Sequence, residues 1–186
     1  MERDRPNTFD AKSLLYTMID NQTIQLVSVL GVGGNGVVYL GQNIFTGQLF
    51  AVKLLIHLRS AYKEVNIHAY LSGHPNIVRF EKVVQENNRT YMIVEYAPGG
   101  DLFAAITQSG RGIVGNNDAI RHIFLQIIDA IEYCHQNGVA HCDLKPENIL
   151  LSHNWQVKLA DFGLASTKKI STEFGCGSEY YFSPGK

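Results

Sequence analysis

The spacing of apolar residues changes along the chain. Residues 23–30 are dominated by β-branched and apolar side chains. A glycine cluster follows, then Val37-Val38-Tyr39-Leu40, a turn signal at Thr46-Gly47 and a second apolar run over 49–56. Runs of this length, separated by glycine-bearing turns, predict three consecutive antiparallel strands. Residues 61–71 carry helical spacing, which Gly73 and Pro75 end. Two more strands are predicted over 77–84 and 91–96, joined by the polar turn at 86–89. Pro98-Gly99-Gly100 then breaks the pattern.

Beyond that break the period becomes helical. Residues 101–107 predict a short helix and 117–136 a long one. In the long one Ile120, Ile123, Phe124, Ile127, Ile128, Ile131 and Cys134 recur at spacings of three and four. Asn116 or Asn117 suits its start and Gly138 its end. Short strands are predicted at 149–151 and 157–159, and the chain from Ser171 reads as a Gly- and Ser-rich loop. The predicted class is α+β. A tail (1–22), with room for one helical turn at the apolar patch Leu14-Leu15-Tyr16, precedes a five-stranded antiparallel part with one helix (23–97), and a mainly helical part (98–186) follows.

Composition narrows the function classes. The chain has 186 residues and a net charge of -1, so nothing in it is an electrostatic footprint for nucleic acid or a membrane surface. The length suits one domain or two small ones and a core that needs no staple. Three cysteines, at 134, 142 and 176, form no Cys-x-x-Cys pair. That excludes a disulfide framework and the common zinc modules, and it fits a reducing compartment, cytoplasmic or nuclear. No apolar run reaches the roughly 18 residues of a membrane span, and the charged N-terminus is not a secretory signal.

Gly31-Val32-Gly33-Gly34-Asn35-Gly36 fits G-x-G-x-x-G. A dinucleotide fold needs a helix directly after such glycines, and here a strand is predicted instead. A Walker loop needs Gly-Lys-Ser/Thr, but Val37 follows Gly36. The glycines therefore sit in a hairpin, and taken alone the segment reads as a plain one. Lys53 is flanked by apolar residues in Phe50-Ala51-Val52-Lys53-Leu54-Leu55. It is either a surface strand lysine or a buried one that needs a counter-charge, with Glu64 nearest in sequence. His141-Cys142-Asp143-Leu144-Lys145-Pro146-Glu147-Asn148 packs unlike polar groups between a long helix and a strand, and Asp161-Phe162-Gly163 follows.

That ordered set resembles the protein-kinase signature: glycine loop, strand lysine, helix glutamate, Asp/Lys/Asn loop, Asp-Phe-Gly. The resemblance runs from about Thr23 to Pro184. Lys145, two residues after Asp143, is similar to the Ser/Thr class. The tail from Phe174 to Pro184 and the His-Cys-Asp variant resemble fungal Ser/Thr kinases linked to meiosis, sporulation and nutrient response. The resemblance implies a two-lobe fold and an ATP-dependent enzyme acting on Ser or Thr hydroxyls of proteins. Leu30 and the Gly31, Val32, Gly33, Gly34, Asn35 and Gly36 loop would cover the ATP phosphates. Lys53 would bind them and pair with Glu64. Val38, Ala51 and Leu150 would sandwich the adenine, Glu95 to Ala97 would hydrogen-bond it with Val94 behind, and Asp101 would meet the ribose. Asn148 and Asp161 would hold Mg²⁺. Asp143 would accept the substrate hydroxyl proton, and Lys145 would neutralise the transferring phosphate.

The sequence also departs from that family. Cys142 replaces the arginine before the catalytic aspartate, and Phe174 stands where an activation-loop phosphate would sit, so that switch is expected to be absent. Ser171 and Thr172 are weaker modification candidates. Glu64 follows Lys53 by only 11 positions, which predicts a short helix or a Glu64 that does not reach. His68, one turn on, reads as a core histidine. After Ser183-Pro184, Gly185 replaces the family's glutamate and Lys186 closes the chain. The remaining helical lobe is thus expected to be missing, exposing part of the long helix to aggregation or to a covering partner. Three readings follow: a Ser/Thr kinase, a nucleotide-binding regulator without transferase activity, and an inactive truncated kinase fragment.

Overall fold

The structure is a computed structural model that describes residues 10–33, 36–56, 58–108, 113–168, 177–178 and 181. It divides into two units, Met1–Ile56 with Lys82–Ile93, and His57–Glu81 with Val94–Lys186. Strands β1 (Met18–Ile19), β2 (Ile24–Gly33), β3 (Gly36–Asn43), β4 (Leu49–Leu55), β5 (Phe80–Glu86) and β6 (Arg89–Glu95) form one sheet in the order β1-β2-β3-β4-β6-β5. The pairs β1–β2, β2–β3 and β3–β4 are antiparallel.

Alternation along β3 and β4 gives the first unit two different faces. Val37 lies across from Leu54 and Tyr39 across from Val52, and all four are buried in one cluster with Ile24, Leu26, Tyr91 and Ile93. The other face carries Val38 across from Lys53 and Leu40 across from Ala51.

Within the stretch read as a tail, Ala11–Leu14 form a 3₁₀ turn, and β1 adds a sixth strand to the predicted five, which corrects the strand count. The cause is burial at Leu14 and Ile19 together with polar anchoring. The Tyr39 hydroxyl donates to the Ala11 carbonyl at 2.8 Å. Burial raises that phenol's pKa, which keeps the donor protonated. The Glu86 carboxylate accepts the Asp20 and Asn21 amides, each at 2.9 Å. No periodicity announces such contacts, because they join residues 28 to 66 positions apart.

The second unit contains helices α1 (Leu58–Leu71), α2 (Leu102–Thr107) and α3 (Asn117–Gln136), and an antiparallel hairpin of β7 (Ile149–Leu151) and β8 (Val157–Leu159). Helix α1 falls in this unit rather than with the sheet, because Ile67 and Leu71 join the core formed by α3 and the hairpin. The strand expected from residue 77 begins at Phe80. Ile77 and Val78 instead associate with β8, through a bridge from Ile77 to Leu159 and a 3.0 Å bond from the Val78 amide to the Leu159 carbonyl.

Asn116 caps α3, accepting the Ala119 amide at 3.0 Å, and Gly138 follows its end at φ 69°. One side of the α3 apolar face, with Ile123, Ala130 and Cys134, is buried. The adjoining stripe of Ile120, Phe124 and Ile128 is exposed, as expected. Among the described residues no helix is long and apolar enough to cross a membrane.

Candidate active site

The second unit builds its polar centre at the open end of the β7–β8 hairpin. Ile149 pairs with Leu159, so Asn148 and Ala160 continue side by side beyond the strands. The Ala160 amide donates to the Asn148 carbonyl at 2.9 Å. The Ala160 carbonyl in turn lies 3.0 Å from His141 Nε2. Asp161, the next residue, is thereby held beside the 141–148 loop. Its Oδ1 accepts the Gly163 amide at 3.4 Å.

His141 is buried and uses both ring nitrogens. Nδ1 accepts the Asp143 amide at 3.3 Å, which leaves Nε2 as the protonated nitrogen facing Ala160. Burial pushes the His141 pKa below its ordinary value, in keeping with that neutral tautomer. The ring packs on Phe162, with centroids 5.0 Å apart, and Phe162 also meets His68 at 5.2 Å. His68 Nε2 lies 2.7 Å from the Val78 carbonyl. His68 is therefore a packed core histidine, as read from the sequence. Cys142 and Asp161 both take the left-handed conformation, at φ 65° and 61°. Non-glycine residues adopt it at a cost that surrounding structure must hold in place. Here the bonds around His141 and Ala160 do so.

Asp143 is the focus of the centre. Its Oδ2 receives Lys145 Nζ at 2.9 Å and Asn148 Nδ2 at 2.9 Å. Its Oδ1 receives the Ser178 hydroxyl at 2.8 Å, and Ser178 Oγ accepts Lys145 Nζ at 2.8 Å. Burial raises the pKa of this carboxyl, but the bonds from Lys145, Ser178 and Asn148 outweigh it and hold the net value below the ordinary range. Asp143 is an anchored carboxylate at neutral pH. Asn148 Nδ2 also donates to the Asp143 carbonyl at 2.8 Å. With its amide nitrogen committed twice, Asn148 has Oδ1 as the atom able to face a cation.

Asn148 Oδ1 and the Asp161 carboxylate are hard oxygen donors. Mg²⁺ takes one or two such protein ligands, with waters and phosphate oxygens completing its shell. The described residues hold no group of three or more His, Cys, Asp or Glu that would form an all-protein cage. The donor set thus fits Mg²⁺ carried with phosphates.

The other predicted residues divide between the units. In the first unit Val38, Ala51 and Lys53 share the sheet face away from the core, and Lys53 is buried. Leu30, Gly31, Val32 and Gly33 are exposed at the end of β2 and pair back through Gly33 to Gly36, which is the expected hairpin. Gly34 and Asn35 lie outside the described residues. In the second unit Glu64 is buried on α1. Leu150 lies mid-β7, with Asp101 bridged beside it. Asp101 Oδ1 caps α2 by accepting the Ala104 amide at 2.7 Å, a structural duty not foreseen. Glu95 forms an ion pair with Lys158, and Ala97 is buried. Phe174, Ser171, Thr172 and the terminal 182–186 stretch lie outside the described residues.

Ser178 is the site residue that sequence reasoning missed. The Gly177-Ser178 pair served only to count back to Phe174. The hydroxyl's role appears only when residue 178 returns across more than thirty positions to Asp143.

The centre is thus a buried, ionised aspartate bonded to a lysine, an asparagine and a serine, on a loop tied to the hairpin end that carries a second aspartate. Residues 24–185 match the protein kinase domain family, and the chain belongs to it. Among its relatives, a fission yeast (Schizosaccharomyces pombe) protein named as a negative regulator of sexual conjugation and meiosis is 40% identical over 179 residues, covering 92% of this chain and 38% of that protein. The rice (Oryza sativa subsp. japonica) CBL-interacting protein kinase 11 is 35% identical over 168 residues, 83% of this chain and 33% of its own. The budding yeast (Saccharomyces cerevisiae) serine/threonine-protein kinase GIN4 is 35% identical over 185 residues, 86% of this chain and 16% of its own. The chain thus spans well under half the length of each.

Proposed function

We propose that this chain transfers the γ-phosphate of ATP to a Ser or Thr hydroxyl of a protein, inside the cell. The observation that carries the reading is the state of Asp143, ionised, buried and held at both oxygens. A carboxylate fixed in this way can accept the hydrogen of an incoming hydroxyl and orient its oxygen for attack. Lys145, already beside Asp143, supplies positive charge next to the transferring group. Catalysis of this type rests on positioning and charge stabilisation more than on covalent chemistry.

In this reading the glycine hairpin, Val38, Ala51 and Lys53 serve ATP, and so do Leu150, Asp101 and residues 95–97. Asn148 and Asp161 would hold Mg²⁺, which when bound supplies charge neutralisation for the phosphates. Cys142, in place of the usual arginine, offers no cation to an activation-loop phosphate, so we read the activity as independent of that modification.

Incubation of the chain with Mg-ATP and a library of Ser-, Thr- and Tyr-containing peptides tests the reading. Phosphate on Ser or Thr, lost in Asp143→Ala, is expected. Mg-ATP binding without any transfer would make the chain a nucleotide-binding regulator instead.

A further inference from the structure

Lys158 stands at the middle of β8, directly across from Leu150 in β7. Directly opposed residues of an antiparallel pair project to the same face. The other face, with Ile149, Leu151, Val157 and Leu159, is packed into the core. Lys158 therefore shares the Leu150 face, yet it is not solvated. Its Nζ lies 2.7 Å from Glu95 Oε1, and the two side chains are only 12% and 19% exposed. The contact is a charge pair rather than an aligned hydrogen bond. A pair this dry loses hydration that an apolar pair of equal volume would not, so stability is a weak reason for its presence. Conformational specificity is the better one.

Glu95 closes β6, and its amide donates to the Arg79 carbonyl at 2.9 Å. The adjacent Val78 amide donates to the Leu159 carbonyl at 3.0 Å, and Leu159 follows Lys158. A ring of contacts thus joins Glu95, the 78–79 segment and β8. At the far end of the same stretch, the Gly99 amide donates to the Leu151 carbonyl at 2.8 Å, and the Leu151 amide to the Gly100 carbonyl at 2.8 Å. Residues 95–99 are consequently pinned at both ends to one hairpin, the one that carries Leu150. A Cβ on Gly99 would come 2.5 Å from the Leu151 carbonyl oxygen, so this approach is close as well as bonded.

We propose that Lys158 is a positioning residue for recognition of the nucleotide base. Through Glu95 it holds the main chain of residues 95–97 at a fixed place relative to Leu150, and so sets discrimination between adenine and guanine nucleotides. The inference rests on the reading of 95–97 as the adenine-binding segment. The physical basis is that the two bases present reversed donor and acceptor patterns along their hydrogen-bonding edges. A rigid main chain rejects the reversed pattern, whereas a loosened one adjusts to it.

Titration calorimetry of the full chain with Mg-ATP and with Mg-GTP tests this in wild type, Lys158→Met, Lys158→Arg and Glu95→Gln. Lys158→Met is expected to weaken Mg-ATP binding about fivefold and to narrow the ATP-to-GTP affinity ratio at least about threefold. Lys158→Arg keeps the charge and is expected to restore both to within about twofold of wild type. A thermal melt without nucleotide checks folding. If Lys158→Met gives no cooperative transition, Glu95→Gln is read by the same criteria, and loss of folding in both assigns the pair to stability and overturns the proposal. An unchanged ATP-to-GTP ratio in a folded Lys158→Met also overturns it, even where affinity falls. Absence of Mg-ATP binding in wild type is a distinct result, which defeats the reading of 95–97 itself and the proposal with it.

Discussion

The Ser178 hydroxyl donates to Asp143 Oδ1 at 2.8 Å while accepting Lys145 Nζ at 2.8 Å. One small side chain therefore bridges the carboxylate and the ammonium that the proposed chemistry needs together. Hydrogen bonds to charged groups contribute about 1.5–3 kcal/mol, and each 1.4 kcal/mol is about tenfold in rate. Ser178→Ala is expected to lower kcat for peptide phosphorylation about ten- to a hundredfold, whereas Ser178→Thr keeps the hydroxyl and most of the rate. Equal kcat for Ser178→Ala and wild type would show the bridge to be incidental.

The glycine hairpin separates folding from binding. At Gly36, with φ 138°, a Cβ would lie 2.2 Å from the Leu54 carbonyl oxygen. At Gly33 nothing lies within 4 Å of such an atom. Gly36→Ala is expected to destabilise the fold by about 2 kcal/mol or more. Gly33→Ala should leave the melting temperature nearly unchanged, with any effect confined to nucleotide binding. Matching melting temperatures for the two variants would contradict this assignment.

Acid should weaken the fold through His141. The folded state keeps this ring neutral, with its pKa below the ordinary 6.5 because burial penalises the charged form. The unfolded chain takes up a proton near pH 6.5. The stability from this group is fully present above that pH and is lost as pH falls toward the folded-state pKa. Between pH 7 and pH 5 the melting temperature of wild type is expected to fall more steeply than that of His141→Gln. Parallel curves would remove His141 as the cause.

The cysteines should differ in reactivity. Burial pushes the Cys134 thiol up to about 11, so at pH 8 only about one molecule in a thousand carries the thiolate there. Cys142 is partly exposed. In a Cys176→Ser background, iodoacetamide at pH 8 is expected to label Cys142 first and Cys134 only on unfolding. Peptide mass spectrometry reads the order, and early labelling of Cys134 would refute it.

Local pattern made most of the elements legible. Helix α3 was readable because three- and four-residue spacing and an asparagine cap act within a few positions, and the structure keeps both its bounds. The β2–β3 hairpin was readable because glycines between apolar runs allow little else. Asp143, Lys145, Asn148 and Asp161 were singled out by residue type and order. The docking of residues 10–22, the transfer of Ile77 and Val78 to β8 and the membership of α1 in the second unit were not readable, because burial against a distant partner outweighed local propensity.

Periodicity alone indicated the α+β class and most of the order of elements, and the resemblance of the ordered motifs indicated the kinase family and the candidate site residues. Tertiary structure alone decided how those residues are held. It committed Asn148 and Ser178 to Asp143, gave Asp101 to a helix cap and joined Lys158 to Glu95. The physical reason is range. Propensity, capping and turn chemistry act over a few residues, whereas each of these site contacts except the local ones at Asn148 and Asp101 joins positions more than thirty apart. Such contacts form only where packing brings the chain back on itself.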